Sequence, residues 1–369
     1  MKTAVSLFSG CGGMDLGVFQ AGFKILARAE LDKYACASLK INRALLGEPV
    51  FLYEGDIRGL DPLSLAGGER RVDLLFGGPP CQAFSQIGKK RALADERGAL
   101  LFEMARFAAA LRPRALLVEQ VKGLLSAKDA AGARGGVFAS FLTALAELGY
   151  FAKWKTLLAA DYGAAQLRER VFVVAFANNS EDFSFPQPTR AAEPSPRSSL
   201  KKWVSAGEAI AGLPPPATKG ASEIPADSHY DVTPPRDRAR IKGVPEGRNL
   251  ASQLSLPASQ RGSLARKDTT KFLRVHRQKP ANTLRGGEIF FHPIEDRYLT
   301  PREYMRIHGY PDEYRLAGPI RARSGTAKYL DQYRQIGNSV PPPLARAIAE
   351  KIAEALDREE NGRTENIPA

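Results

Sequence analysis

The residues of this chain that could do chemistry stand where its apolar runs stop. Cys81 follows directly on Leu74-Leu75-Phe76-Gly77-Gly78-Pro79-Pro80. A thiol on so stiff a turn is a candidate nucleophile, since a thiolate adds readily to electron-poor carbons. The same local pattern also suits a small buried hydrophobe, and the local sequence leaves both readings open. Carboxylates end the neighbouring runs: Glu30 and Asp32 follow Ile25 to Ala29, Asp56 follows Gly55, and Glu119 follows Ala115-Leu116-Leu117-Val118. Carboxyls so placed suit proton transfer or a grip on hydroxyls. Arg168 and Arg170 flank Glu169 and offer fixed hydrogen-bond donors, or a surface ion pair with that glutamate.

These residues need a scaffold that gathers strand ends along one edge. Short apolar runs at Ala4 to Phe8, Ile25 to Ala29, up to Gly55-Asp56-Ile57, Val72 to Phe76, Ala115 to Val118 and Val171 to Phe176 read as strands. Helical patterns over 99–111 and 137–148 fall between them. The alternation predicts an α/β fold with a doubly wound, mostly parallel sheet, whose ligands sit at the carboxyl ends of the strands. The first strand runs into Ser9-Gly10-Cys11-Gly12-Gly13 and then a helix. Such a glycine-rich turn lets the backbone approach a ligand and offers N–H groups to it. An acid at the end of the second strand is where such folds hold ribose hydroxyls; Asp32 is also placed to cap the helix that follows.

The net charge is +13 and the pI about 9.7, which points to a polyanionic partner. Between residues 186 and 285 there are 18 Lys and Arg against 8 Asp and Glu, so most of the excess falls on about a quarter of the chain. That concentration favours a nucleic-acid face over general solubility. Three cysteines are too few and too odd for a disulfide scaffold, no Cys/His spacing suits a metal, and no run is apolar enough to span a membrane. The expectation is an intracellular, cytoplasmic protein. The stretch 186–280 lacks periodicity but carries Trp203, Ile210, Leu213, Tyr230, Ile241, Leu250, Leu254 and Phe272, which predicts a small, loop-rich domain and not a linker. Thr300-Pro301-Arg302-Glu303 is a helix start with a capping box, and His308 near that helix's end reads as a helix-end cation or packing residue. A last helix is expected from Leu344 to about Leu356, followed by a frayed polar tail.

Taken in order, these segments resemble the cytosine-C5 DNA methyltransferases. Phe8-Ser9-Gly10-Cys11-Gly12-Gly13 looks like the first motif of that family, and Pro79-Pro80-Cys81-Gln82 like its catalytic motif. Glu119-Gln120-Val121 stands at the Glu-Asn-Val motif, and Gln166, Arg168 and Arg170 match the Gln-x-Arg-x-Arg element. Arg297 to Glu303, with Arg306 to Pro311, matches the ninth motif, and Gly337-Asn338-Ser339-Val340-Pro341 the last. The order is the family's, over nearly the whole chain, with the variable segment where a target-recognition domain belongs.

The resemblance implies a Rossmann-like methyltransferase that moves a methyl group from S-adenosylmethionine to C5 of a cytosine flipped out of duplex DNA. It implies Cys81 as the nucleophile on C6, Glu119 beside N3, Arg170 on O2, Arg168 in support of the glutamate and backbone, and water as acceptor of the C5 proton. For the cofactor it implies Phe8, Gly10, Gly12 and Pro79 around the pocket, Glu30 on the ribose and Asp56 and Ile57 at the adenine. Leu100, Asn338 and Ser339 would complete the methionine side. For DNA it implies Gln82, Ser85, Gln166, Thr283 and Arg285, with Thr283 on a phosphate and Arg285 at a base. No metal is implied. The divisions expected are a catalytic and cofactor domain over 1–183, a recognition domain over 184–325, a returning segment over 326–357 and a flexible tail over 358–369. The expected setting is a monomer at the nucleoid, within a restriction-modification system whose endonuclease forms no stable complex with it. Two positions depart from the pattern: Gln120 replaces the usual Asn near the Pro-Cys loop, and Leu31 stands where many relatives carry an aromatic residue against the cofactor. A tRNA methyltransferase with the same core and an inactive DNA-binding homologue are the competing readings; the long basic segment argues against the first and the intact Cys81, Glu119, Arg168 and Arg170 against the second.

Overall fold

A computed structural model describes residues 1–47, 51–66, 72–80, 96–178, 183–218, 223, 225–252, 257, 272–322 and 328–365. Cys81, Gln82, Ser85 and Leu254 lie outside the described residues. Strands β1 (Thr3–Leu7), β2 (Lys24–Glu30), β3 (Phe51–Glu54), β4 (Leu74–Gly77), β5 (Ala115–Gln120), β6 (Phe151–Leu158) and β8 (Glu169–Phe176) form one sheet in the order β3-β2-β1-β4-β5-β8-β6; the short β7 (Gln166–Leu167) lies outside it. Neighbours from β3 to β5 pair in parallel, and β8 runs antiparallel between β5 and β6. The apolar runs make strands because both faces are covered, which is why β4 and the first four residues of β5 read as unbroken hydrophobic stretches, with every residue of both strands buried.

One face is covered by α4 (Glu96–Leu111) and α5 (Gly136–Glu147), through Leu101, Met104, Phe107 and Phe141 against Val5, Leu75, Leu116 and Val173. The other carries α1 (Gly13–Gln20) and the C-terminal α10 (Pro342–Glu365), through Val18, Leu344 and Ile348 against Ala4, Phe76, Leu117 and Phe172. Each such side chain taken from water contributes about 1.5–3 kcal/mol. The chain leaves β1 toward β2 on one side and returns to β4 on the other. The carboxyl ends of β1 and β4 therefore flank the switch point, where a crevice opens in folds of this kind.

A further core joins the early helices to the second half of the chain. Leu16 of α1, Leu39 of α2 (Lys33–Ile41) and Leu46 of α3 (Arg43–Leu46) meet Ile210 of α6 (Ala206–Ile210) and Ile241 of α7 (Pro235–Ile241). Tyr304 of α8 (Pro301–His308) and Tyr333 of α9 (Gln332–Asn338) complete it. Leu213, Tyr230 and Phe272 pack against the same cluster. The two-residue strands β9 (Arg190–Ala191), β10 (Lys201–Lys202) and β11 (Ala281–Asn282) pair in parallel, β9 with β10 and β11 with β7. The remainder of this half is loop.

Three local expectations change. The third strand ends at Glu54, and Asp56 instead caps a turn over Ile57–Gly59 by accepting from the Arg58 N–H. β6 carries no strand signal in the sequence: it is an edge strand with half of its side chains exposed, including Lys153, Trp154 and Lys155, and only Leu157 buried, so the alternation that marks a half-buried strand is missing. The last helix does not fray at Asp357 but continues to Glu365. Arg114, 7% exposed, draws the added turns in: it donates to the Leu356 carbonyl at 2.9 Å and pairs with Glu359 at 2.8 Å and Glu360 at 2.7 Å.

Candidate active site

At the switch point lies a cavity of about 770 Å³, within the range of about 300–1,000 Å³ typical of small-molecule and cofactor sites. Phe8, Gly10, Glu30, Asp56 and Ile57 line it from the ends of the first three strands. Pro79, Leu100, Asn338 and Ser339 line it from the turn after β4, from α4 and from the end of α9 and its C-cap. Gly12 faces elsewhere: a Cβ there would press on Tyr314 Oη and Leu39, so its role is the tight packing of the turn, not contact with the cavity.

The turn after β1 holds an acid in place. Gly10 takes the left-handed φ of 55°, and its N–H donates to Glu30 Oε2 at 2.7 Å. Leu31 and Asp32 N–H groups donate to Glu30 Oε1 at 2.9 and 2.8 Å. Burial pushes the Glu30 carboxyl up from its ordinary value while these three N–H groups pull it back. Asp56 behaves in the opposite way: its hydrogen bonds with Arg58 hold its carboxyl below the usual range. Leu31 is 66% exposed at the cavity mouth. The aromatic ring lining that cavity close by in the fold is Tyr329, which meets Tyr34 edge-on at 5.8 Å. Its neighbour Leu330 is pinned by donation to Asp32 Oδ2 at 2.7 Å. Nothing in the local sequence signals Tyr329, because the chain brings it back from almost three hundred residues away.

On the far wall β5 and β8 bring two predicted residues together by register. Glu119 lies opposite Phe172 in the antiparallel pair, and Arg170, two residues before Phe172, shares that face. Arg170 Nε stands 3.0 Å from Glu119 Oε1, with both side chains nearly buried. The N–H is not aimed at the oxygen, so Glu119 Oε1 accepts no hydrogen bond from the described residues. That oxygen is buried against the guanidinium without a hydrogen bond, Oε2 is the one beside Gly78, and Glu119 as a residue lines the cavity. A buried carboxylate oxygen short of a hydrogen bond is unusual in a purely structural ion pair. Arg168, 2% exposed, donates from Nη1 to the Gly337 carbonyl at 3.0 Å. Gln120 reaches the Pro79 carbonyl, its Nε2 donating at 2.7 Å, so the longer amide still ties down the turn before Cys81.

The two described cysteines are unsuited to nucleophilic work. Burial pushes the thiols of Cys11 and Cys36 up to about 12. Pro79 and Pro80 line the cavity, and Cys81 is the next residue in the chain.

The residues expected to meet DNA divide. Arg285 is half-buried and makes no hydrogen bond or ion pair among the described residues. Thr283 is beside it, its hydroxyl donating to the Leu167 carbonyl at 2.8 Å. Gln166 corrects its expectation: it is fully buried, its Oε1 accepting from the Leu284 N–H at 3.3 Å and its Nε2 donating to His308 Nδ1 at 2.6 Å. It braces the segment around Thr283 and does not face solvent. Of the two readings of His308, it is the packing residue and not the helix-end cation. Burial, with Arg168 nearby, holds its imidazole well below the ordinary value, so it is neutral. A second cavity of about 600 Å³ borders β7 and β11, with Trp203, Lys202, Arg248 and Lys279 in its wall.

Comparison with known proteins gives the family. The family model for C-5 cytosine-specific DNA methylase matches residues 2–354. The Type II methyltransferase M.NgoFVII of Neisseria gonorrhoeae is 31% identical over 354 residues, 94% of this chain and 85% of its own length. M.Eco47II of Escherichia coli, also a Type II methyltransferase, is 33% identical over 369 residues, 96% of this chain and 80% of its own. Among solved structures, the fold matches a prophage-encoded DNA modification methyltransferase candidate from E. coli with a TM-score of 0.69 at 21% identity, over 97% of this chain and 100% of that one. It also matches the Entamoeba histolytica methyltransferase EhMeth at 0.61 and 16%, over 96% and 99%. The chain belongs to the C-5 cytosine-specific DNA methylase family, and it is a DNA methyltransferase of the Type II restriction-modification kind.

Proposed function

We propose that the 770 Å³ cavity holds S-adenosylmethionine and that Cys81, Glu119, Arg168 and Arg170 act together on a cytosine turned out of duplex DNA. The observation that carries this reading is the Glu119–Arg170 pair, 3.0 Å apart, on the wall of the cavity that Pro79 and Pro80 also line directly before Cys81. The cavity fits the cofactor on its own features. A Cβ at Gly10 would meet no atom within 4 Å, so the cavity floor is clear there. Glu30, its carboxylate fixed by three N–H groups, keeps acceptor capacity for ribose hydroxyls. When bound, the cofactor supplies an electrophilic methyl group for C5.

The chain's own residues make C5 able to take it. Cys81, as thiolate, forms a bond to C6, and the C5=C6 electron pair is freed toward C5 while charge builds toward N3 and O2. Glu119 answers that charge by a hydrogen bond at N3, and Arg170 by donation to O2. Gln120 holds the Pro79 carbonyl and with it the approach of the thiolate. Once the C5 proton has left to water, the C5=C6 bond re-forms and the thiolate is expelled from C6.

Gln82, Ser85, Thr283 and Arg285 are read as the DNA contacts, and the wall of Lys202, Arg248 and Lys279 as part of the phosphate-facing surface. We read 1–183 as catalytic, 184–325 as recognition domain and 326–357 as the returning segment. We read the chain as acting as a monomer in the cytoplasm, at the nucleoid, beside a restriction endonuclease to which it is not stably bound; the Type II names of its relatives support that pairing. The test is duplex DNA synthesised with 5-fluorocytosine throughout, incubated with protein and S-adenosylmethionine. Fluorine cannot leave C5 as a proton does, so the adduct to C6 persists. The wild-type chain should give a complex that survives denaturing electrophoresis, and Cys81→Ser none. A complex that forms equally with Cys81→Ser would remove Cys81 as nucleophile.

A further inference from the structure

His308 stands between the two halves of the site. It ends α8, whose start is fixed by a capping box: Thr300 accepts from the Glu303 N–H, and Glu303 from the Thr300 N–H at 2.7 Å. Gly309 closes the helix in the left-handed conformation. The imidazole is fully buried, lies flat against Tyr310 at 5.9 Å and uses both ring nitrogens. Nε2 meets the Ser339 carbonyl at 3.0 Å and Ser339 Oγ at 3.1 Å, and Ser339 lines the cofactor cavity. Nδ1 accepts from Gln166 Nε2 at 2.6 Å, and the other end of that amide holds the Leu284 N–H between Thr283 and Arg285. The amide's partners fix the tautomer, with the proton on Nε2 and the lone pair on Nδ1. A second approach runs alongside: a Cβ on Gly337 would come within 2.8 Å of the Gly286 N, so the loop carrying Ser339 abuts the backbone after Arg285.

We propose that His308 is a positioning residue with two separate arms, Nε2 fixing the cofactor wall through Ser339 and Nδ1 fixing the DNA-holding segment through Gln166. The inference rests on the reading of the cavity and of Thr283 and Arg285 given above. A merely structural histidine would serve both sides alike. A two-armed one separates them, because glutamine and asparagine each reproduce one nitrogen. In His308→Gln the amide N–H falls near Nε2 and keeps the donor to Ser339, and the acceptor for Gln166 is lost. In His308→Asn the amide oxygen falls near Nδ1 and keeps that acceptor, while nothing reaches Ser339.

The experiment measures two affinities for each variant: S-adenosylhomocysteine by calorimetry, and by anisotropy a 30-base-pair duplex containing the sequence that the enzyme methylates. His308→Gln should hold S-adenosylhomocysteine within about twofold of wild type and lose about tenfold on DNA, the worth of one buried hydrogen bond. His308→Asn should show the reverse. Gln166→Met cuts the DNA arm from its far end with His308 intact; it should lose DNA affinity alone, and combining it with His308→Gln should cost no more than either. Variants that weaken both ligands in parallel, or neither, overturn the proposal. Should the His308 variants fail to fold, Gln166→Met decides: loss on both ligands or on neither overturns it equally. Wild-type protein that binds no S-adenosylhomocysteine, or Thr283→Ala/Arg285→Ala protein with undiminished DNA affinity, would strike the underlying reading and not the two-armed histidine.

Discussion

Gln120 shows how a departure at one position can be absorbed. Its amide is one methylene longer than the asparagine that the family pattern carries, yet it donates to the Pro79 carbonyl at 2.7 Å from a buried site. The consequence is measurable with an isosteric change. Gln120→Glu exchanges the donor for an acceptor facing a carbonyl, so the turn before Cys81 loses its tie. Single-turnover kinetics should show the methylation rate falling about tenfold or more, with S-adenosylhomocysteine affinity unchanged. The placement of Glu30, Glu119 and Arg170 at the cavity is legible because each ends or begins an apolar run, and a strand end is a place the fold rules assign to ligands. Gln166, His308 and Tyr329 were not legible in their roles. Each depends on a partner more than a hundred residues away, and side chains that far apart leave no periodic trace in the sequence.

At the scale of elements, strands buried on both faces announced themselves as unbroken apolar runs, and the capping box announced α8 to the residue. The edge strand β6 and the last turns of α10 did not, since the first buries a single side chain and the second is held by charge. Arg114→Ala tests that hold. It strips the buried partner from Glu359 and unties the Leu356 carbonyl, and thermal or urea unfolding should report a loss of about 1–3 kcal/mol. α8 carries a pH-dependent part of the stability. The unfolded chain takes up a proton on His308 near pH about 6.5, while burial keeps the folded imidazole neutral well below that. The unfolded state therefore binds more protons over that window, and stability falls as pH drops through it, by up to about 1.4 kcal/mol per unit. In urea titrations between pH 7 and 5, His308→Gln should show a shallower decline than wild type; equal slopes would mean that the folded imidazole takes up its proton over the same pH range as the unfolded one.

At the scale of the molecule, a sheet whose switch point opens between β1 and β4 sets the 770 Å³ cavity, and the basic segment is tied to the helices beside it through a shared core. Its excess of +10 between residues 186 and 285 is the basis on which we propose a surface that meets phosphates. If four or more phosphates are contacted, DNA affinity should fall about a hundredfold between 50 and 200 mM salt, and a flat response would contradict the basic-face argument. The most direct test of the account joins residue to reaction. Genomic DNA is taken from a host lacking cytosine methylation that expresses either this chain or its Cys81→Ala form, and is sequenced after bisulfite treatment. The account predicts protected cytosines within one short sequence with the wild-type chain, and none with Cys81→Ala. Protection that survives the loss of Cys81, or none from wild-type chain shown to be folded, would contradict it.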